Sequence, residues 1–125
     1  MKKQDELREL DAKVAERVMG VDLNPDLYRI EDNNMLTIPA YGSDIKAAWL
    51  VVEKLRELDF WVMMGDHDVN DEGTIEEIWW CKFYPGEEGI PDSIGEAPTA
   101  PEAICLAALA SVEAVELIKE YEKGE

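Results

Sequence analysis

The run Tyr41-Gly42-Ser43-Asp44-Ile45-Lys46 holds the residues best suited to gripping an anion. A helix beginning here would aim backbone N–H groups and the positive end of its dipole at a negative ligand. The Ser43 hydroxyl adds a donor, Lys46 adds a positive charge one turn on, and Tyr41 offers a ring on which a base can stack. Arg29, in the preceding connection, supplies a second cation. Arg29, Tyr41, Gly42, Ser43 and Lys46 thus form a candidate ligand-binding set for a small nucleotide-type ligand. Asp44 places a like charge at the same spot, and the same residues also read as a plain helix cap.

Other chemistry is sparse. The chain has no GxxxxGK[ST], GxGxxG, HExxH, CxxC or GxSxG pattern. A hydrolase triad would have to use His67, which stands among acids. Asp66, Asp68, Asn70 and Glu77 fall at positions 1, 3, 5 and 12 of a calcium-loop pattern, but Asp71 replaces the glycine needed at position 6. The stretch reads as a turn-rich hairpin loop, and neither metal, cofactor nor catalytic activity is expected. Cys81 and Cys105 lie in apolar stretches and read as reduced core thiols.

The net charge of −17 over 125 residues is unevenly spread. Residues 1–56 hold 11 acids and 9 bases, whereas residues 57–125 hold 18 acids and 3 bases. Such a potential repels duplex DNA, RNA and anionic membranes. It suits a basic protein partner, mimicry of nucleic acid, or simply solubility. No apolar run reaches the ~20 residues of a membrane helix, and no apolar h-region follows Lys2 and Lys3, so a cytoplasmic protein is expected.

The elements that must position these groups follow from periodicity. Leu7, Leu10, Val14 and Val18 predict a helix over residues 4–19, ended by Gly20. Residues 20–42 are irregular, with short extended pieces at 27–30 and 35–38. A second helix follows Ser43 or Asp44, with Ile45, Ala48, Trp49, Val52 and Leu55 as its buried stripe. Residues 59–66 and 74–86 predict an antiparallel hairpin with a wide loop. Their consecutive apolar residues predict a sheet covered on both faces, with Trp61, Trp79, Trp80 and Tyr84 in the core. A face left open would instead make these aromatics a subunit interface in a homo-oligomer. Thr99 and Glu102 have capping-box spacing before a third helix, whose Ala100, Ala103, Ala107, Ala110 and Ala114 form a stripe for close packing. One domain, spanning 1–125, is expected from the length.

The blocks AERVMG (15–20), YGSDIKAAWLVVEKLRE (41–57) and EAPTAPEAICLAALASV (96–112) resemble the phage ABA sandwich domain family of Gram-positive phages and prophages. Val21 departs from the aromatic residue usual after the Met-Gly pair. The resemblance implies an α+β fold, a three-layer α/β/α sandwich with a small antiparallel sheet and helices on both faces. It implies a phage gene and carries no activity residue by residue. Two functions follow as expectations: a non-enzymatic counter-defence protein that sequesters a nucleotide immune signal in the host cytoplasm, or an acidic inhibitor of a host nucleic-acid enzyme.

Overall fold

The computed structural model describes residues 2–20, 39–71, 74–86 and 91–123. The sequence-predicted pieces at 27–30 and 35–38 lie outside them, as does Arg29.

Helix α1 (Lys2–Lys13) runs directly into a π-helical segment, Val14–Val18, whose wider turn is closed by the Met19 N–H donating to the Val14 carbonyl at 2.9 Å. Gly20, at φ +74°, ends the helix in the left-handed conformation that glycine adopts without steric cost. Helix α2 (Ile45–Glu57) starts at Asp44, whose carboxylate accepts the Lys46 N–H. Strands β1 (Phe60–Asp71), β2 (Thr74–Pro85) and β3 (Ser93–Ala97) form an antiparallel sheet in the order β1-β2-β3. Helix α3 (Ala100–Lys123) completes an α+β sandwich that holds, among the described residues, three helices and one three-stranded sheet.

Side chains on a strand alternate between faces, so the register assigns each residue to a side. Phe60, Val62 and Met64 of β1, Trp79, Cys81 and Phe83 of β2, and Ser93, Gly95 and Ala97 of β3 share the inner face. Phe60 and Phe83 meet edge to face, with ring centroids 6.4 Å apart. Against this face lies α3, through the fully buried Ala103, Ile104, Ala107 and Ala108. Val51, Val52 and Leu55 of α2, with Val14 and Val18 of the π-helical segment, close the core behind it.

The alanine stripe works as expected at its centre. Gly95 lies so close to α3 that an added Cβ would stand 2.6 Å from both the Ala103 carbonyl oxygen and the Ala107 nitrogen. Only small residues on both elements allow that approach. The stripe leaves its predicted path further on: Ala110 is exposed, and Ser111 is buried in its place, donating to the Ala107 carbonyl at 3.0 Å.

Several expectations change. The stripe of α2 is rotated toward Ala47, Ala48, Val51, Val52 and Leu55, which leaves Ile45 and Trp49 about half exposed. Residues 66–71 and 74–77 of the expected wide loop are instead strand: the ladder continues through Asp66↔Trp79 and Asp68↔Glu77 to Asp71↔Thr74. An extended backbone cannot wrap a cation as a calcium loop does, and no group of metal ligands forms among the described residues. The short strand β3 had no separate sequence signal. Among the described residues the helices cover one face of the sheet, and Trp61 stands 68% exposed on the other.

Candidate functional site

The expected anion site at the start of α2 is built around a buried acid from α1. Asp11 is fully buried, and its Oδ1 accepts the Gly42 N–H at 2.7 Å while its Oδ2 accepts from Arg8 Nη1 at 2.6 Å. A carboxylate that accepts a backbone N–H and a guanidinium N–H is well satisfied despite its burial. The contact fastens α1 to the turn before α2. It also explains Gly42, where an added Cβ would come 3.1 Å from Oδ1.

The donors of this turn are therefore already engaged. Gly42 gives its N–H to Asp11, and Lys46 gives its N–H to Asp44. Tyr41 is buried, while Ser43 and the Lys46 side chain face solvent. Tyr41, Gly42, Ser43 and Lys46 are neighbours, as their sequence order requires. Sequence reasoning missed Asp11, because an acid on the first helix has no visible link to a glycine 31 residues away.

A cleft of about 530 Å³ opens elsewhere, between the end of α2, the outer ends of β1 and β2, and the C-terminal half of α3. Its geometry begins with Asp59. The Leu58 and Asp59 N–H groups bond back to the last carbonyls of α2, and Asp59 takes the left-handed conformation at φ 73°. That turn delivers the chain straight into β1. The Asp59 carbonyl then accepts the Gly86 N–H at 2.8 Å, joining the end of α2 to the end of β2. A side chain on Gly86 would stand 2.9 Å from that same oxygen.

Phe60, Val112 and Val115 line the cleft with apolar surface, and Leu58 and Pro85 extend it. Among the described residues Lys119 is the one base in this lining, with Asp59 and Glu116 as the acids. The volume falls within the range typical of small-molecule sites, and an apolar floor with a few polar groups is their usual chemistry. No local pattern marks this site in the sequence, since Asp59 and Lys119 are 60 positions apart.

Cys81 and Cys105 are both buried free thiols. Burial pushes each up to about 12, and nearby acids, Asp11 first, add to the effect on Cys105. Thiols so far from ionisation are poor nucleophiles, which makes them core residues.

The arrangement of helices, sheet and buried alanine contact has a counterpart among known proteins. The phage ABA sandwich domain model matches residues 12–109. The chain belongs to that family. A phage protein from Bacillus cereus ATCC 14579, known from a 2.0 Å crystal structure, is similar at 30% identity with a TM-score of 0.62, over 85% of this chain and 86% of that one. Among curated proteins nothing matches. In this phage ABA sandwich domain, the matched span holds the Asp11–Gly42 partner glycine, all three strands and the first half of α3. No helix among the described residues is long and apolar enough to cross a membrane.

Proposed function

We propose that this phage ABA sandwich domain is a binding protein that holds a target stoichiometrically rather than transforming it, with a small ligand seated in the cleft at Phe60, Val112, Val115 and Lys119. The cleft itself carries the reading: it is concave, apolar at its floor, and furnished with one cation and two carboxylates. A nucleotide-type signal of host defence suits that chemistry. Its ring system would lie on Phe60 and the valines, and a phosphate would meet Lys119. Hydroxyl or amino groups would donate to Asp59 and Glu116. Sequestering such a signal in the host cytoplasm counters a defence system without any catalytic group. The cleft is favoured over the α2 start because there the Gly42 and Lys46 N–H groups are already given to carboxylates. Ser43 and Lys46 remain a second anchoring point for an anion.

Isothermal titration against cyclic dinucleotides and ADP-ribose-type nucleotides tests this. Binding by the native protein, weakened tenfold or more by Lys119→Glu, is the expected result; tenfold corresponds to about 1.4 kcal/mol. Absence of heat with every nucleotide would overturn it.

One observation favours the acidic-inhibitor reading as the alternative. Asp68 and Glu77, both exposed, stand directly opposite each other on the β1–β2 ribbon beyond the reach of β3. Like charges in that position cost stability, and a basic protein surface would relieve them. Salt-sensitive capture of a basic host nucleic-acid enzyme, lost in Asp68→Asn/Glu77→Gln, would support it.

A further inference from the structure

Among the described residues nothing covers the outer face of the sheet, which carries large apolar side chains. Register places Trp61 beside Tyr84 in one row, Met63, Lys82 and Ile94 in the next, and Gly65, Trp80 and Glu96 in a third. Trp61, Met63 and Ile94 are 68%, 51% and 56% exposed. Single exposed apolar residues are ordinary, but Trp61 and Met63 share one strand with Tyr84 beside them on β2, and Ile94 lies across Lys82 from Met63, so the three belong to one face.

The face is also pre-arranged. The Trp80 indole lies across Gly65, close enough that a Cβ there would stand 2.7 Å from Cζ2. The Tyr84 hydroxyl donates to Met63 Sδ at 3.5 Å, and Lys82 Nζ sits 4.9 Å from the centre of the Tyr84 ring. Lys82 also reaches Asp92 at 3.7 Å. Side chains already held in place lose little freedom when covered.

We infer that two copies of this chain associate through these outer sheet faces, Trp61, Met63 and Ile94 of one packing on those of the other. Charge identifies the occupant. In a chain of net −17, these rows carry one base, Lys82, and one acid, Glu96. Two like-charged copies can meet only where the surface is neutral, and interface centres are depleted of charge. Lys82 and Glu96 lie on adjacent strands in neighbouring rows, so a two-fold axis lying in the interface plane midway between them would bring Lys82 of each copy toward Glu96 of the other. Nucleic acid, the other usual ligand of an aromatic sheet face, is repelled by the chain's charge.

The exposed area begins with three large side chains. Taking roughly 150–250 Å² for a large side chain, the exposed parts of Trp61, Met63 and Ile94 offer on the order of 350 Å² per copy. The half-buried Trp80, Lys82 and Tyr84, with His67 and Ile78 further along the same face, add to this toward the ~800 Å² that each partner contributes to a standard interface. The pairing is independent of the cleft, which opens on the helix-bearing side.

Sedimentation equilibrium of the native chain tests the inference, with Trp61→Glu and Ile94→Glu as two separate variants and circular dichroism to check their fold. Twice the 14.1 kDa chain mass is expected for the native protein. Each variant should raise the dimer dissociation constant at least tenfold while keeping the native dichroism. Lys82→Glu should also weaken the dimer, and adding Glu96→Lys should restore it. A monomer at ~100 µM, a concentration at which the weakest specific pairs in the micromolar range associate, would overturn the inference. So would a dimer unaffected by both Trp61→Glu and Ile94→Glu.

Discussion

Gly95→Ala should be among the most damaging single-methyl additions this fold can receive. The new Cβ would meet the Ala103 carbonyl oxygen and the Ala107 nitrogen at 2.6 Å and the Leu106 Cβ at 2.9 Å. Two of those three atoms belong to the backbone of α3, so no side-chain rotation relieves the contact. The helix must instead lift from β3 by roughly an ångström. That movement opens gaps around Cys81 and Phe83 of β2 and around the helix's own Cys105, all fully buried. Overpacking of a core costs about 1–3 kcal/mol when neighbours can adjust, and a rigid backbone contact belongs at the upper end or beyond. For a chain of this size each kcal/mol lowers the melting temperature by roughly 3–5 °C, so a fall of about 10–15 °C is expected in far-ultraviolet circular dichroism. Ala107→Leu acts on the same contact and should destabilise in the same direction. A melting temperature within about 2 °C of the native value for Gly95→Ala would refute the account of the alanine helix as a close-packing device.

Asp11→Ala should destabilise by about 2–4 kcal/mol in urea unfolding, because it strands the buried Gly42 N–H and removes a charge-assisted bond; Asp11→Asn, which can still accept from Gly42, should cost less, and equal losses for the two would sink the clamp. The thiols of Cys81 and Cys105 keep their protons in the fold up to about pH 12, whereas in the unfolded chain they ionise near the ordinary value of 9.0. Their contribution to stability is therefore complete below pH 9 and is lost as pH rises toward 12, by about 1.4 kcal/mol per pH unit for each thiol. Stability measured from pH 8 to 11 should fall more steeply in the native protein than in Cys81→Ala/Cys105→Ala, and parallel slopes would show that the thiols do not govern it.

Much of this fold is legible in the chain's local code. Gly20 ends the first helix and Asp44 caps the second, since caps depend only on a few neighbouring residues. The small residues at 103 and 107 announce a close contact, and the structure supplies its other half in Gly95. The wide hairpin loop was misread because acids and asparagine are common in turns, yet β1 and β2 stay paired through Asp71↔Thr74. The consecutive apolar residues of the strands predict a sheet covered on both faces, whereas among the described residues helices cover one face and Trp61 stands exposed on the other. Periodicity reports which residues are apolar and cannot say what covers them.

The sequence by itself determined the caps, the helical stripes, the acidity and membership of a phage fold family, because each resides in residue types at short spacing. Only the tertiary structure decided that Asp11 occupies the Gly42 N–H, that Asp59, Phe60 and Lys119 meet around one cleft, and that Trp61 faces outward. These three depend on contacts between residues that lie tens of positions apart. Their energies come from shape and hydrogen bonding at the meeting point, and the chain acquires that point only when the sheet and α3 have closed on each other.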